Sequence, residues 1–362
     1  MHFQRDAVVF LVVVVLLSSH NHAVEAARGL PVEFLPGFDG PLPFQLETGY
    51  IGVGQNEEIQ LFYYFIKSDS NPQEDPLILW ITGGRTCSAL RTICQQIGPL
   101  LVEPVKYNGS LPRLQPFPYS WTKVASIIFL DLPAGAGFSY ATKFLENNDL
   151  LAASYAYEFL QKLIENINNK HILEPICLSG SDSTMASLIM LPTQKSLYHD
   201  LFTKLKTDPF LVSGLQCRDE WSKLSEYWAN DYHVQMALHV RQGTKEKWQL
   251  CDESLPYNSV IYNTIPYHVN LSKKGYRSLI YSGDHEMIYP HLSTEAWIKS
   301  LNYSIIEDWR SWMVEGQVAG YTMAFANKMT FVTVKGGGHV APDYRPFESQ
   351  VMFERWISYE NI

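Results

Sequence analysis

The chain carries little charge for its length: Asp, Glu, Lys and Arg make up 18% of 362 residues, with a formal net charge of −9 and no run of Lys or Arg. Nothing in it can neutralise a phosphate backbone or an anionic lipid surface, which excludes nucleic-acid and membrane-surface binding. A long apolar span is also lacking. The unbroken run Ala7 to Leu17 has about half of the roughly 20 residues that a helix needs to cross a bilayer. Cysteine is sparse, five residues with no Cys-x-x-Cys pair, so no metal site of that type is encoded. There is no internal repeat, low-complexity tract or long linker. What is plentiful is apolar content, 46%, enough for a large core in one domain or two. A small or uncharged ligand suits such a chain.

The N-terminus has the tripartite form of a cleaved secretory signal: Arg5 in a short leading segment, the apolar run, then a polar stretch closing on the small-residue pattern Val24-Glu25-Ala26. Residues 1–26 are therefore expected to be a signal peptide, with the remainder maturing in an oxidising lumen and keeping no membrane anchor. Three glycan acceptor sequons, at Asn108, Asn270 and Asn302, agree with that route. Cys87, Cys94, Cys177, Cys217 and Cys251 allow at most two disulfides and leave one thiol over.

Apolar, β-branched runs at Leu77 to Ile81, Ala125 to Leu130, Ile176 to Leu178, Ser278 to Tyr281 and Met329 to Val334 predict buried parallel strands. Helical spacing of apolar residues predicts helices over Leu151 to Ile167, Leu224 to Val240 and Phe347 to Ile357. Strands alternating with helices imply an α/β protein with a doubly wound, mostly parallel sheet, whose ligands bind at the carboxyl ends of the strands. Three chemistry-bearing segments fall at such ends: Ser181-Asp182-Ser183-Thr184, Gly283-Asp284-His285-Glu286 and Gly336-Gly337-Gly338-His339. Nucleophile, acid and histidine in that order are how an α/β-hydrolase assembles its triad.

Further blocks carry a specific resemblance: Leu79-Trp80-Ile81-Thr82-Gly83-Gly84, Asp131-Leu132-Pro133-Ala134-Gly135-Ala136-Gly137-Phe138-Ser139-Tyr140, Tyr227-Trp228-Ala229-Asn230-Asp231 and Gly336-Gly337-Gly338-His339-Val340-Ala341-Pro342. With Leu35 to Phe38 and Leu46 to Tyr50, they make the chain resemble the plant serine carboxypeptidase-like proteins almost to its C-terminus. The resemblance implies an α/β-hydrolase fold over residues 27–362 as a single domain, a small-molecule ester or peptide substrate, and acyl-enzyme chemistry without a cofactor. It also implies a secreted or vacuolar protein.

Carried over residue by residue, it makes His339 the general base, brought to the site by a tight triglycine loop. Glu286 becomes the acid, in a place where the family resembles Gly-Asp-x-Asp. The extra methylene shifts the carboxylate and calls for a compensating backbone movement. Asp284 is the alternative acid, and a metal site from Asp284, His285, Glu286 and His291 lacks the usual helical His spacing. For the nucleophile, matching Asp182-Ser183 to the family Asp-Ser selects Ser183. An ungapped register from Gly180 puts Asp182 there instead, and Ser181 is a third option. Ser181, Met185 and Ala186 stand where the family elbow has small residues or glycine.

The oxyanion donors implied are the backbone N–H groups of Gly84 and Thr184. The family loop continues Gly-Gly-Pro-Gly-Cys, whereas here Arg85 and Thr86 follow Gly84, so a charge near the acyl site is expected, and strain at Thr86 if the backbone there needs positive φ; an anion pocket re-tuned for a different substrate is the alternative. Thr82 and Asp182 occupy the substrate-binding positions. They match the branch that moves an acyl group from a glucose ester to an alcohol, rather than the Asn and Glu of the carboxypeptidases. The competing expectations are an inactive homologue with the same fold and a degenerate gene product that barely folds. The resemblance pairs Cys87 with Cys251, leaves Cys94 and Cys177 as buried thiols, and orphans Cys217. Between Pro192 and Cys217 the family carries a further strand and a covering excursion that the polar stretch Thr193 to Asp208 replaces.

Overall fold

A computed structural model describes residues 29–143, 146–166, 176–179 and 218–362, with backbone alone at 165–166, 176–179 and 218–222. The expected signal peptide, the elbow residues Ser181 to Ala186 and Cys217 lie outside the described residues, as does the Cys177 side chain.

Strands β1 (Leu30–Val32), β2 (Leu46–Val53), β3 (Ile59–Ile66), β4 (Leu77–Ile81), β5 (Ser126–Leu130) and the two-residue β6 (Tyr140–Ala141) form one sheet, in the order β1-β2-β3-β5-β4 with β6 beside β3. A second sheet is built from β7 (Ile176–Ser179), β8 (Arg277–Gly283), β9 (Ile305–Val314), β10 (Gln317–Phe325) and β11 (Met329–Val334), in the order β7-β8-β11-β10-β9. The predicted parallel strands are all present. β4 runs parallel to β5, and β8 runs parallel to both β7 and β11. Among the described residues they occupy one end of each sheet, with β4 and β7 outermost, and the other end is made of antiparallel strands that the apolar runs did not signal. One continuous ladder was expected; among the described residues β4 pairs only with β5, and β7 only with β8. The stretch where a further family strand was expected falls between β7 and residue 218.

Helices are α1 (Leu90–Gln95), α2 (Asp149–Asn166), α3 (Arg218–Ala229), α4 (Tyr232–Ala237), α5 (Ile265–Lys273), α6 (His291–Ser300), α7 (Ala341–Tyr344) and α8 (Pro346–Ile357). The single helix predicted over Leu224 to Val240 is two. Apolar spacing continues across the junction, but the Asp231 carboxylate accepts from the backbone N–H groups of His233 and Val234 and so starts a new helix. Asn230 meanwhile bonds to both backbone groups of Trp248. Among the described residues no helix is long and apolar enough to cross a membrane.

Side-chain alternation along the strands sets the layers. On β3, Phe62, Tyr64 and Ile66 enter the large core, while Leu61, Tyr63 and Phe65 face a second cluster. Ala152, Ala156, Phe159 and Leu163 close that cluster, one stripe of α2 at helical spacing. The large core continues into the second sheet through Leu279, Tyr281, Val332 and Val334, so the two sheets share one interior. At its centre Trp121 stacks on Phe353 of α8, ring centroids 4.2 Å apart. On the other face of the second sheet, Ile280 and Phe331 pack against Trp297 and Ile298 of α6.

Candidate active site

The parallel pairing of β8 with β11 determines where the acid and the histidine meet. Gly283, the last residue of β8, lies opposite Val334, the last of β11, so the chains that follow leave the same sheet edge side by side. They are laced together: Asp284 N–H donates to Val334 O (3.1 Å), His285 N–H to Gly337 O (2.9 Å), and Gly336 N–H to the Asp284 carboxylate (2.6 Å). Glycine is required at two of these positions. Gly336 has φ +71°, and a Cβ on Gly283 would lie 2.2 Å from Gly337 O.

Within this lacing the Glu286 carboxylate reaches the His339 ring, Oε2 to Nδ1 at 2.6 Å. Its other oxygen accepts from the backbone N–H groups of Ile288 (2.5 Å) and Tyr289 (3.1 Å). The turn that follows Glu286 thus folds back onto its own carboxylate. Its side chain is 1% exposed against 35% for His339. Burial pushes the Glu286 carboxyl upward, but the hydrogen bonds from His339, Tyr289 and Ile288 outweigh it and hold the group below the usual glutamate range. An ionised carboxylate only accepts, so Nδ1 carries the shared proton, and in the neutral imidazole the lone pair lies on Nε2. The alternative acid, Asp284, is bonded to Gly336 N–H, and its other contact is the exposed His285 at 3.8 Å. It braces the histidine loop.

Across the molecule, β4 delivers the glycine loop. Gly84 has φ +85° and opens a turn closed by Cys87 N–H to Gly84 O at 3.2 Å. Cys87 forms the expected disulfide with Cys251. Flanking bonds from Ser88 N–H to Leu250 O (2.8 Å) and from Asp252 N–H to Thr86 O (3.3 Å) secure the same junction. Cys94 is a buried free thiol, as expected.

One expectation for this loop is corrected. Thr86 is buried but is not among the positive-φ residues; Gly84 alone in the turn takes that conformation, so the β-branched side chain creates no backbone strain. Arg85 is exposed, its guanidinium 6.0 Å from the centroid of the Tyr257 ring. The Thr82 hydroxyl is 3.1 Å from that of Thr92 on α1.

β7 ends at Ser179 opposite Ile280 of β8, on the strand that leads to Glu286. Ser181, Asp182, Ser183 and Thr184, the nucleophile options and one oxyanion donor, lie outside the described residues. Among the described residues no cluster of three or more His, Cys, Asp or Glu side chains could hold a metal ion.

Sequence reasoning gave no role to Asp131 or to the Arg91–Asp343 pair. Asp131 receives three hydrogen bonds around the glycine loop. Arg91 on α1 reaches Asp343 on α7, just past His339, at 3.4 Å. For Asp131 the available signal was a carboxylate directly after the five-residue strand β5, every residue of which is buried.

A family model described as serine carboxypeptidase matches residues 36–181 and 164–359. Serine carboxypeptidase-like 7 of Arabidopsis thaliana is 42% identical over 406 residues, covering 90% of this chain and 93% of that protein. Serine carboxypeptidase-like 9 of the same plant is 41% identical over 434 residues, covering 96% and 98%. Both alignments are longer than the 362-residue chain itself, so this chain lacks positions inside the matched region that its relatives have. Among solved structures, the Kex1 prohormone-processing carboxypeptidase of Saccharomyces cerevisiae superposes with a TM-score of 0.64 at 17% identity, over 87% of this chain and 91% of that one. That similarity shows the shared α/β-hydrolase fold. The chain belongs to the serine carboxypeptidase family.

Proposed function

We propose that the chain is a serine-type acyl-enzyme catalyst with Ser183, Glu286 and His339 as its triad, and that it transfers an acyl group from a glucose ester to an alcohol in preference to hydrolysing a peptide. The observation that carries the reading is the Glu286–His339 bond of 2.6 Å, held by a carboxylate that is buried and ionised. In this scheme the Ser183 hydroxyl attacks the ester carbonyl as His339 Nε2 takes its proton. Glu286 stabilises the imidazolium, and the proton passes to the departing sugar oxygen. The acceptor alcohol then attacks the acyl-enzyme with His339 again acting as base. Gly84 and Thr184 N–H are the donors assigned to the oxyanion. Thr82 and Asp182 are the residues on which the preference for transfer rests.

Secretion with residues 1–26 removed, and glycans on Asn108, Asn270 and Asn302, belong to the same proposal. All three asparagines are exposed, and the Asn108 side chain accepts from Ser110 N–H within its sequon.

The test is to supply a 1-O-acyl glucose ester with and without an alcohol acceptor, alongside a blocked dipeptide, and to resolve the products. Acyl-acceptor ester that forms with wild type and not with Ser183→Ala supports transfer; free amino acid from the dipeptide assigns carboxypeptidase activity instead. The competing reading, an inactive homologue, draws on Ser181, Met185 and Ala186 in the elbow and on the positions missing from the chain. Neither product from well-folded protein would establish it.

A further inference from the structure

Resting on the acyl-enzyme reading, we infer that Asp131 is a positioning residue that holds the oxyanion loop in place through its carboxylate. Asp131 follows β5 and is fully buried, yet both of its oxygens are occupied by donors from two separate segments. One oxygen accepts from the Ser88 hydroxyl (2.7 Å) and the Ala89 N–H (2.8 Å), and the other from Phe138 N–H (2.9 Å). The approach from the Phe138 side needs glycine: Gly137 has φ +52°, and a Cβ there would fall 2.1 Å from the carboxylate.

Ser88 and Ala89 directly follow Cys87, the residue that closes the Gly84 turn. On its upstream side the turn is tied to the sheet by β4, whose last residue Ile81 lies opposite Leu130, the neighbour of Asp131. On its downstream side it is tied by the Cys87–Cys251 disulfide and by Asp131. The carboxylate therefore fixes the exit of the loop relative to the strand that fixes its entry. The charged group facing it is Lys245, which bonds to Gly135 O and lies 4.0 Å from Asp252. Tyr50 and Tyr64, on β2 and β3, face it from the sheet. Burial raises the Asp131 carboxyl to about 6 against the pull of its three donors and Lys245. A neutral Asn would thus remove a buried charge while failing to satisfy both donor sets, because one of its two positions is itself an N–H donor.

The experiment compares wild type with Asp131→Asn by amide hydrogen exchange and by steady-state and fluorophosphonate-labelling kinetics. Exchange at residues 84–89 should quicken at least about 10-fold with β4 and β5 unchanged, and kcat should fall roughly 10- to 100-fold with KM retained, as expected for a displaced oxyanion donor. Ser88→Ala, which removes one donor, supplies the same readouts at a smaller amplitude if the Asn variant does not fold. Unchanged exchange at 84–89, or loosened exchange with kcat intact, would overturn the inference. Wild-type protein inert to substrate and probe would refute the catalytic reading separately, and exchange alone would then decide whether Asp131 holds the loop.

Discussion

Replacing Glu286 by Gln changes one atom at the centre of the site, and its cost follows from the bonds around the carboxylate. The amide oxygen can keep the N–H groups of Ile288 and Tyr289, but an NH2 group then faces His339 Nδ1, where Oε2 had accepted at 2.6 Å. The lost bond is charge-assisted and buried on the carboxylate side, worth about 1.5–3 kcal/mol. His339 is part exposed and can rehydrate, which favours the lower end. The pH dependence has a definite sign. Because Glu286 is held below the usual glutamate range, its stabilisation is present above the unfolded-state value of about 4.3 and is lost as pH falls through the lower folded value. Urea unfolding of wild type and Glu286→Gln should therefore differ at pH 7, and the gap should narrow as pH falls below about 4.3. Catalysis should suffer more, by roughly 10⁴-fold, since the histidine is driven to the wrong tautomer. Equal stability at pH 7, a gap that widens as the solution is acidified, or labelling at the wild-type rate would each refute the reasoning.

Three other substitutions probe the surrounding frame. Gly283→Ala forces a Cβ to within 2.2 Å of Gly337 O, so a loss of about 1–3 kcal/mol in unfolding experiments should accompany a displaced histidine loop and impaired labelling. Thr86→Gly, which restores the family residue, should bring no gain in activity because Thr86 has no positive φ to relieve, and thermal unfolding should register a loss of about 0.4–1 kcal/mol from the looser unfolded chain. Removing the Cys87–Cys251 link, which spans 164 residues, by a double Ser substitution should cost about 2–4 kcal/mol in denaturant unfolding.

The parallel strands were legible because they are mostly buried and read as unbroken apolar runs, as in Leu77–Ile81 and Met329–Val334. The antiparallel strands were not. Ile305–Val314 has mostly exposed side chains and register shifts against its neighbour, and Leu46–Val53 is interrupted by Gly49 and Gly52. The break at Asn230-Asp231 was hidden because apolar spacing runs through it while the decisive interaction is a side-chain cap. At the site, the order of the segments marked Glu286 and His339. Residue type alone did not reveal that the turn through Ile288 and Tyr289 folds back onto the Glu286 carboxylate. Nor could it say that Thr86 sits at negative φ, because the need for a left-handed residue in that turn is met at Gly84. Asp131 stood out only as part of the Asp131 to Tyr140 block, because two of its three donors lie more than 40 positions away in Ser88 and Ala89.

The most direct test of the account is peptide mapping of the folded protein after reaction with a fluorophosphonate probe. A single adduct on Ser183, abolished by His339→Ala and by Ser183→Ala, is the predicted result. Folded protein that carries no adduct, or one whose adduct persists when Ser183 is replaced, would contradict it.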